Sequence, residues 1–411
     1  MGTANDLRRL PAHARVIARD DVWMDSEGLE QLIRVAGSPG CVRAAGMPDL
    51  HAGPGHPIGA VFAFADRVRP ELVGGDGGCG VRLVVTTLRR ISADTLERRA
   101  HAAFDGEPLA DCDGRALFDA VWERGPRALA ELDGVPDALA RIAASEPEDT
   151  LPPSGDPGPY RAGFEAQLGT AGGGNHFAEV ARVAAIHDEA QAAALGLEKN
   201  ALVALAHSGS RGLGHALARR WATADLRGDD IAPYLADLAG ACRFARANRL
   251  VLAYRLLTAL DAARPSKIKG GLDLVHNDVA SELLAGAPAW IHRKGAAPAR
   301  GADPTIVLGS RGAPSWIMRA ADCEEGLRSV AHGAGRRMNR GEARDKIRHK
   351  YKRAALTRTA LGGRVIAADP DLLYEEHPDA YKPIEPVIAS VVEAGLASPI
   401  AELVPMLTVK R

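Results

Sequence analysis

Aromatic residues are scarce in this chain, at 4% of 411 positions. No apolar run approaches the ~18 to 20 residues that a membrane span needs. The start, Met1 to Asp6, leads into Arg8, Arg9 and Pro11 instead of an apolar signal segment, and Asp6 is incompatible with a myristoylation signal. A soluble protein of the reducing cytoplasm is therefore expected. The five cysteines, Cys41, Cys79, Cys112, Cys242 and Cys323, are odd in number, widely spaced and form no CxxC pair. Disulfide scaffolds and cysteine-only zinc knuckles are thereby disfavoured. Net charge is nearly absent too: 51 basic residues face 52 acidic ones. That balance argues against holding nucleic acid through overall basicity, though not against a local patch.

What is present is an apolar fraction of 46%, enough for a sizeable core, with no internal repeat and no low-complexity linker. Charge is segregated. Between His101 and Tyr160 there are 13 acidic and 4 basic residues, followed by the proline- and glycine-rich close of the segment at Pro152 to Pro159. This pattern predicts an acidic helical insertion, about 101–160, ending in a surface loop. Between Arg336 and Arg358 there are 10 basic and 2 acidic residues. Short β-rich runs at Val81 to Leu88, Ala201 to Ala206 and Thr305 to Leu308 lack the regular alternation of a doubly wound sheet. Ala232 to Ala262 suits one long helix or a helix pair, and the class expected is α+β.

Glycine clusters beside histidine and cysteine, as in Gly74-Gly75-Asp76-Gly77-Gly78-Cys79-Gly80, Gly172-Gly173-Gly174-Asn175-His176 and His332-Gly333-Ala334-Gly335-Arg336. Such turns let backbone approach a ligand closely and can cradle anions. Asp76, Cys79, His176, His207 and His276 are the metal candidates. Their mixed oxygen, sulfur and nitrogen donors suit Mn²⁺, Zn²⁺ or Co²⁺ more than Mg²⁺ or Ca²⁺. Each taken singly also has an ordinary structural role. His332 stands apart, opening the basic segment. A neutral imidazole can attack activated phosphorus, or the residue can be a further ligand or a structural histidine.

Together these strings closely resemble the RtcB family of GTP-dependent RNA ligases. The matching pieces are Met47-Pro48-Asp49-Leu50-His51, Asp76-Gly77-Gly78-Cys79-Gly80, Leu168-Gly169-Thr170, Gly174-Asn175-His176-Phe177 and His207-Ser208-Gly209-Ser210-Arg211-Gly212. They continue through His276-Asn277, Arg293-Lys294-Gly295-Ala296, Gly309-Ser310, His332-Gly333-Ala334-Gly335-Arg336, Ala380-Tyr381-Lys382 and Val409-Lys410. The resemblance implies one large domain over residues 1–411, with mixed sheets around a central metal and GTP cleft and helices outside.

It further implies two manganese ions bridged by Cys79, with His207 and His276 on one and Asp76 and His176 on the other. His332 would be guanylylated by GTP, with Asp49 orienting its ring. Asn175, Glu179, Asn277, Lys294, Ser310, Ser315, Gly333, Ala334, Gly335, Arg336 and Lys410 would hold the nucleotide, Glu179 taking the N1 and N2 edge of guanine. RNA ends bearing a 3′-phosphate or cyclic phosphate and a 5′-hydroxyl are the implied partners of a monomer, with archease as a conceivable activator. Arg336 to Arg358 would supply a cationic track for RNA. Three features depart from the family pattern. Arg311 replaces an apolar residue in the serine loop, two glycines separate Asp76 from Cys79, and the insertion has no counterpart. A manganese phosphodiesterase acting on cyclic phosphates and a non-catalytic RNA-binding paralogue are the alternatives.

Overall fold

The computed structural model describes residues 7–161 and 163–410. Its architecture is α+β, built around two sheets. The larger sheet has eight strands. Along it lie Pro304–Val307, Ser315–Ala320, Ala397–Lys410, Phe177–Ile186, Leu202–Ser208, Gly80–Thr86 and Ile268–Val275, with Arg364–Ala367 paired in parallel to the end of Ala397–Lys410. The neighbours from Ala397–Lys410 to Ile268–Val275 are all antiparallel. The second sheet orders Ala14–Val16, Cys41–His51, Ile58–Phe64, Ala287–Lys294 and Asn277–Leu284.

The alanine- and leucine-rich pattern forms one 29-residue helix, Ile231–Ala259. It is apolar on nearly every side, which fits a helix buried all round, and its leucines enter the main core cluster. Two of its polar residues anchor the turns around the site. Asn248 Oδ1 accepts from the Gly169 amide at 2.7 Å, and its Nδ2 donates to Ser208 Oγ at 3.0 Å. Arg249, fully buried, donates to the Gly78 and Ser208 carbonyls and pairs with Asp273. Glycine turns that bear candidate ligands are thereby tied to one rod.

The acidic stretch is helical at its start, in Ala93–Asp105, Gly114–Arg124 and Asp137–Ala144, and irregular around its proline-rich close. The scarce aromatics gather here: Trp122 stacks on Tyr160 at 5.2 Å and on Phe118 at 6.0 Å, while Phe118 meets Phe244 of the long helix at 5.9 Å. Each such burial is worth roughly 2–3 kcal/mol. Several of the acids are counter-charges and not only a solvated face. Glu146 takes both ends of the buried Arg82 guanidinium at 2.6 Å, and Asp149 pairs with Arg243 and Arg246. Among the described residues no helix is long and apolar enough to cross a membrane.

Candidate active site

The metal candidates converge because of strand direction. Cys79 directly precedes the strand Gly80–Thr86, His207 is near the end of Leu202–Ser208, His176 precedes Phe177–Ile186 and His276 follows Ile268–Val275. These four strands are mutually antiparallel neighbours, with Val81 opposite His207, Phe177 opposite His207 and Gly80 opposite Val275. Alternating direction therefore brings two strand starts and two strand ends to the same edge. Residues almost 200 positions apart in sequence become adjacent there.

Cys79 Sγ lies 3.4 Å from His176 Nε2 and 3.5 Å from His207 Nε2. His207 Nε2 is 3.3 Å from His276 Nε2, and Asp76 Oδ2 is 2.8 Å from His176 Nε2. Burial holds the His207 and His276 imidazoles well below the usual histidine range. Burial, with Asp76 beside it, pushes the Cys79 thiol well up. Neutral imidazoles facing one another, a carboxylate and a thiol that can ionise only beside a cation make a donor set that fits a borderline divalent metal. Gly209 completes the packing: a Cβ there would stand 2.0 Å from Asp76 Oδ1. Gly209→Ala is expected to push Asp76 aside and weaken divalent-metal affinity about 10- to 100-fold. Calorimetric titration with Mn²⁺ checks this, and an unchanged affinity would contradict the placement.

His332 enters from a different part of the fold. It follows the short strand Ser329–Ala331, and its ring centroid is 4.8 Å from that of His276. His332 Nδ1 is 2.6 Å from Oδ2 of Asp49, a fully buried carboxylate on Cys41–His51. The carboxylate accepts from Nδ1–H, so in the neutral ring the lone pair is on Nε2. Lys382 braces this pair, donating to the Pro48 and Leu50 carbonyls on either side of Asp49 at 2.9 and 2.8 Å. Gly335, at φ +74°, passes so close that a Cβ would meet the Asp49 carbonyl oxygen at 2.3 Å.

A cleft opens beside His332. Asn175, Glu179, Ser310, Gly333, Ala334, Gly335, Arg336 and Lys410 line it, as do Phe177, Arg311, Glu376, Tyr381 and Thr408. Glu179 faces Thr408 across paired strands and accepts its hydroxyl at 2.7 Å. Lys410 Nζ donates to the Gly174 and His176 carbonyls. Arg336 is committed to Glu376, Tyr381 and backbone carbonyls. Asn277, Lys294 and Ser315 lie outside the lining. Both ends of the Asn277 amide are used, on the Asp76 carbonyl and the Gly295 amide, and Ser315 Oγ accepts from the Gly309 amide. Lys294 packs against Gly74, on the side of the metal turn. Arg211, at φ +62°, covers Gly172, and its charge acts on Asp76 and Cys79. Arg211 and Lys382 are absent from the sequence-derived site residues although both stand in the quoted motifs. Lone cations carry no signal of their partners.

Burial pushes the Glu179 carboxyl up to about 8, against the Thr408 hydrogen bond and Lys410. The folded state therefore holds a proton that the unfolded state releases near pH ~4.3, and stability falls as pH rises between those values. Glu179→Gln is expected to stabilise the protein increasingly from about pH 5 to about 8 and then level off. Thermal unfolding across that range checks it; a pH-independent difference would refute it.

The basic stretch is the helix Arg340–Lys350 with a tail. Much of its charge is met locally: Arg344 by Asp371 and Glu375, Arg348 by Asp371, Lys346 by Glu342 and Lys350 by Asp379. Arg353 and Arg358 have no carboxylate partner among the described residues.

A family model described as tRNA-splicing ligase RtcB matches residues 31–411. The RNA-splicing ligase RtcB2 of Escherichia coli is 37% identical over 412 residues, covering 98% of this chain and 97% of that protein. The tRNA-splicing ligase RtcB of Archaeoglobus fulgidus is 29% identical over 462 residues, covering 97% and 94%. The RNA-splicing ligase RtcB of Mycobacterium tuberculosis is 30% identical over 441 residues, covering 92% and 100%. With a match of this length and identity, on a fold that gathers the shared motifs at one cleft, the chain belongs to the RtcB ligase family.

Proposed function

We propose that this enzyme joins RNA ends, linking a 3′-phosphate or 2′,3′-cyclic phosphate to a 5′-hydroxyl through GMP carried on His332. The relatives are named as RNA- or tRNA-splicing ligases. The observation that carries the finer reading is the 2.6 Å His332–Asp49 pair, set between the donor cluster and the cleft. His332 Nε2 bonds to the α-phosphorus of GTP as the bond to the β-phosphate bridge breaks and pyrophosphate leaves. A 3′-phosphate oxygen of RNA then attacks that phosphorus, breaking the P–N bond. Finally the 5′-hydroxyl attacks the 3′-phosphorus, expels GMP and loses its proton. A cyclic end is first opened by water to the 3′-phosphate.

Asp49 holds Nδ1–H throughout and stabilises the charge that develops on the ring. Cys79, Asp76, His176, His207 and His276 would hold the two Mn²⁺ ions that the family resemblance implies. When bound they supply Lewis-acid stabilisation of the phosphoryl oxygens. Glu179 lines the cleft and would accept from guanine N1–H and N2–H once guanine binding has displaced the proton that burial holds on its carboxyl. Asn277 and Ser315 act as supports of the walls, since their polar atoms are spent on backbone. Convergence of Asp49, His332 and Lys410 on one cleft supports a single ligase domain over 1–411, with 101–160 as an insertion.

The test is incubation with Mn²⁺ and α-labelled GTP. An acid-labile, base-stable adduct mapping to the His332 peptide is expected, followed by joining of a 3′-phosphate RNA to a 5′-hydroxyl RNA. Cyclic-phosphate hydrolysis without adduct or joining would favour a phosphodiesterase instead.

A further inference from the structure

Arg311 is the one family departure that falls inside the cleft. It follows Ser310 in the loop between Pro304–Val307 and Ser315–Ala320, and it is 5% exposed. Its Nη2 donates to the Leu373 carbonyl at 2.7 Å, whereas its buried Nη1 has no hydrogen-bond partner. No carboxylate pairs with it among the described residues. The nearby Glu376 is already engaged by Arg336 and by the Tyr381 hydroxyl. A buried guanidinium with an orphan N–H is costly, and an acceptor brought by a ligand removes that cost.

The position along the loop indicates which acceptor. The Leu308 amide donates to the His332 carbonyl at 2.9 Å, so the loop starts against the proposed nucleophile. Arg311 lies three residues further on, up to roughly 10 Å away along the chain. It acts electrostatically on Lys410, which in turn acts on Glu179. Arg311 and Glu179 line the same cleft as His332.

Resting on the guanylylation reading above, we propose that Arg311 reads the O6 and N7 edge of guanine, opposite the N1 and N2 edge taken by Glu179. Guanine offers two acceptors on that edge, matching a guanidinium, whereas adenine replaces one with an amino donor. Arg311 is then a specificity-determining residue that the family pattern lacks. It adds a second rejection of adenine to the one supplied by Glu179.

Calorimetric binding of GMP, 7-deaza-GMP and AMP to the full chain with Mn²⁺ tests this. The unmodified protein is expected to bind GMP about tenfold tighter than 7-deaza-GMP, the size of one lost charge-assisted hydrogen bond. Arg311→Met is expected to bind the two alike, with GMP weakened at least tenfold, and Arg311→Lys to keep part of the preference. Thermal unfolding of both variants separates misfolding from lost recognition. Equal affinities in the unmodified protein, or a full preference in Arg311→Met, overturns the proposal while leaving GMP binding intact. Weakened binding of a 3′-phosphate oligonucleotide by Arg311→Met with the GMP preference unchanged assigns Arg311 to RNA and equally overturns it. Failure of the unmodified protein to bind GMP would instead remove the guanylylation reading beneath it.

Discussion

His332→Ala is expected to form no guanylylated protein and to join no RNA, a loss of at least about 10⁴-fold, with its unfolding transition and Mn²⁺ affinity staying close to those of the unmodified enzyme. The size follows from removing the nucleophile itself, for which no neighbour can substitute. His207 and His276 are neighbouring imidazoles, but their Nε2 atoms face each other, and that of His207 also faces Cys79. Asp49→Asn is the informative companion. An amide can donate to Nδ1, moving the ring proton to Nε2 and removing the attacking lone pair. Buried carboxylate–imidazole pairs altered this way lose about 10³- to 10⁴-fold. Adduct formation in either variant within tenfold of the unmodified rate would end the case for His332 as nucleophile.

Cys79→Ala is expected to abolish ligation for a different reason, and the difference is measurable. The thiol lies within 3.5 Å of two imidazole nitrogens, and all three ligand atoms are within 4.8 Å of one another. Without it the two sides of the cluster lose their common member. At a metal concentration of 100 times Kd, binding to the folded state stabilises by about 2.7 kcal/mol. The unmodified enzyme should therefore gain several degrees in Tm on adding Mn²⁺ and lose them on chelation, and Cys79→Ala should show neither change. An equal metal-dependent rise in the variant would show that the cluster does not depend on sulfur. His332→Ala and Cys79→Ala then separate: one keeps metal and loses the adduct, the other loses both.

Much of this site was legible in the sequence because its chemistry is carried by glycine-flanked motifs. Asp76, Cys79, His176, His207 and His276 do meet, although spacing alone could not say so; the antiparallel order of four strands decides it. The long helix was legible from composition, and its being one helix follows from burial on nearly every side, which leaves no place for a turn. Less legible was the division of labour among polar residues. Asn277 and Ser315 have side chains suited to a nucleotide, yet their hydrogen bonds are spent on backbone, a matter of tertiary geometry that one sequence does not encode locally. Charge runs likewise did not disclose their partners. The stretch from Arg336 to Arg358 is partly neutralised by Asp371, Glu375 and Asp379, and the acidic insertion sends Glu146 and Asp149 to buried arginines.

The shared strand edge also determines what in this enzyme is held in place. Four donors stand at the ends of one hydrogen-bonded ladder, and Arg249 ties two of their turns to the long helix. The backbone beside each of these donors is held by paired strands. The facing walls include the Ser310–Arg311 loop and the Leu372–Glu375 turn that Arg311 grips, both outside that ladder. The donor side is an anvil fixed by the sheet, whereas the side that faces it is built of loops and a short turn.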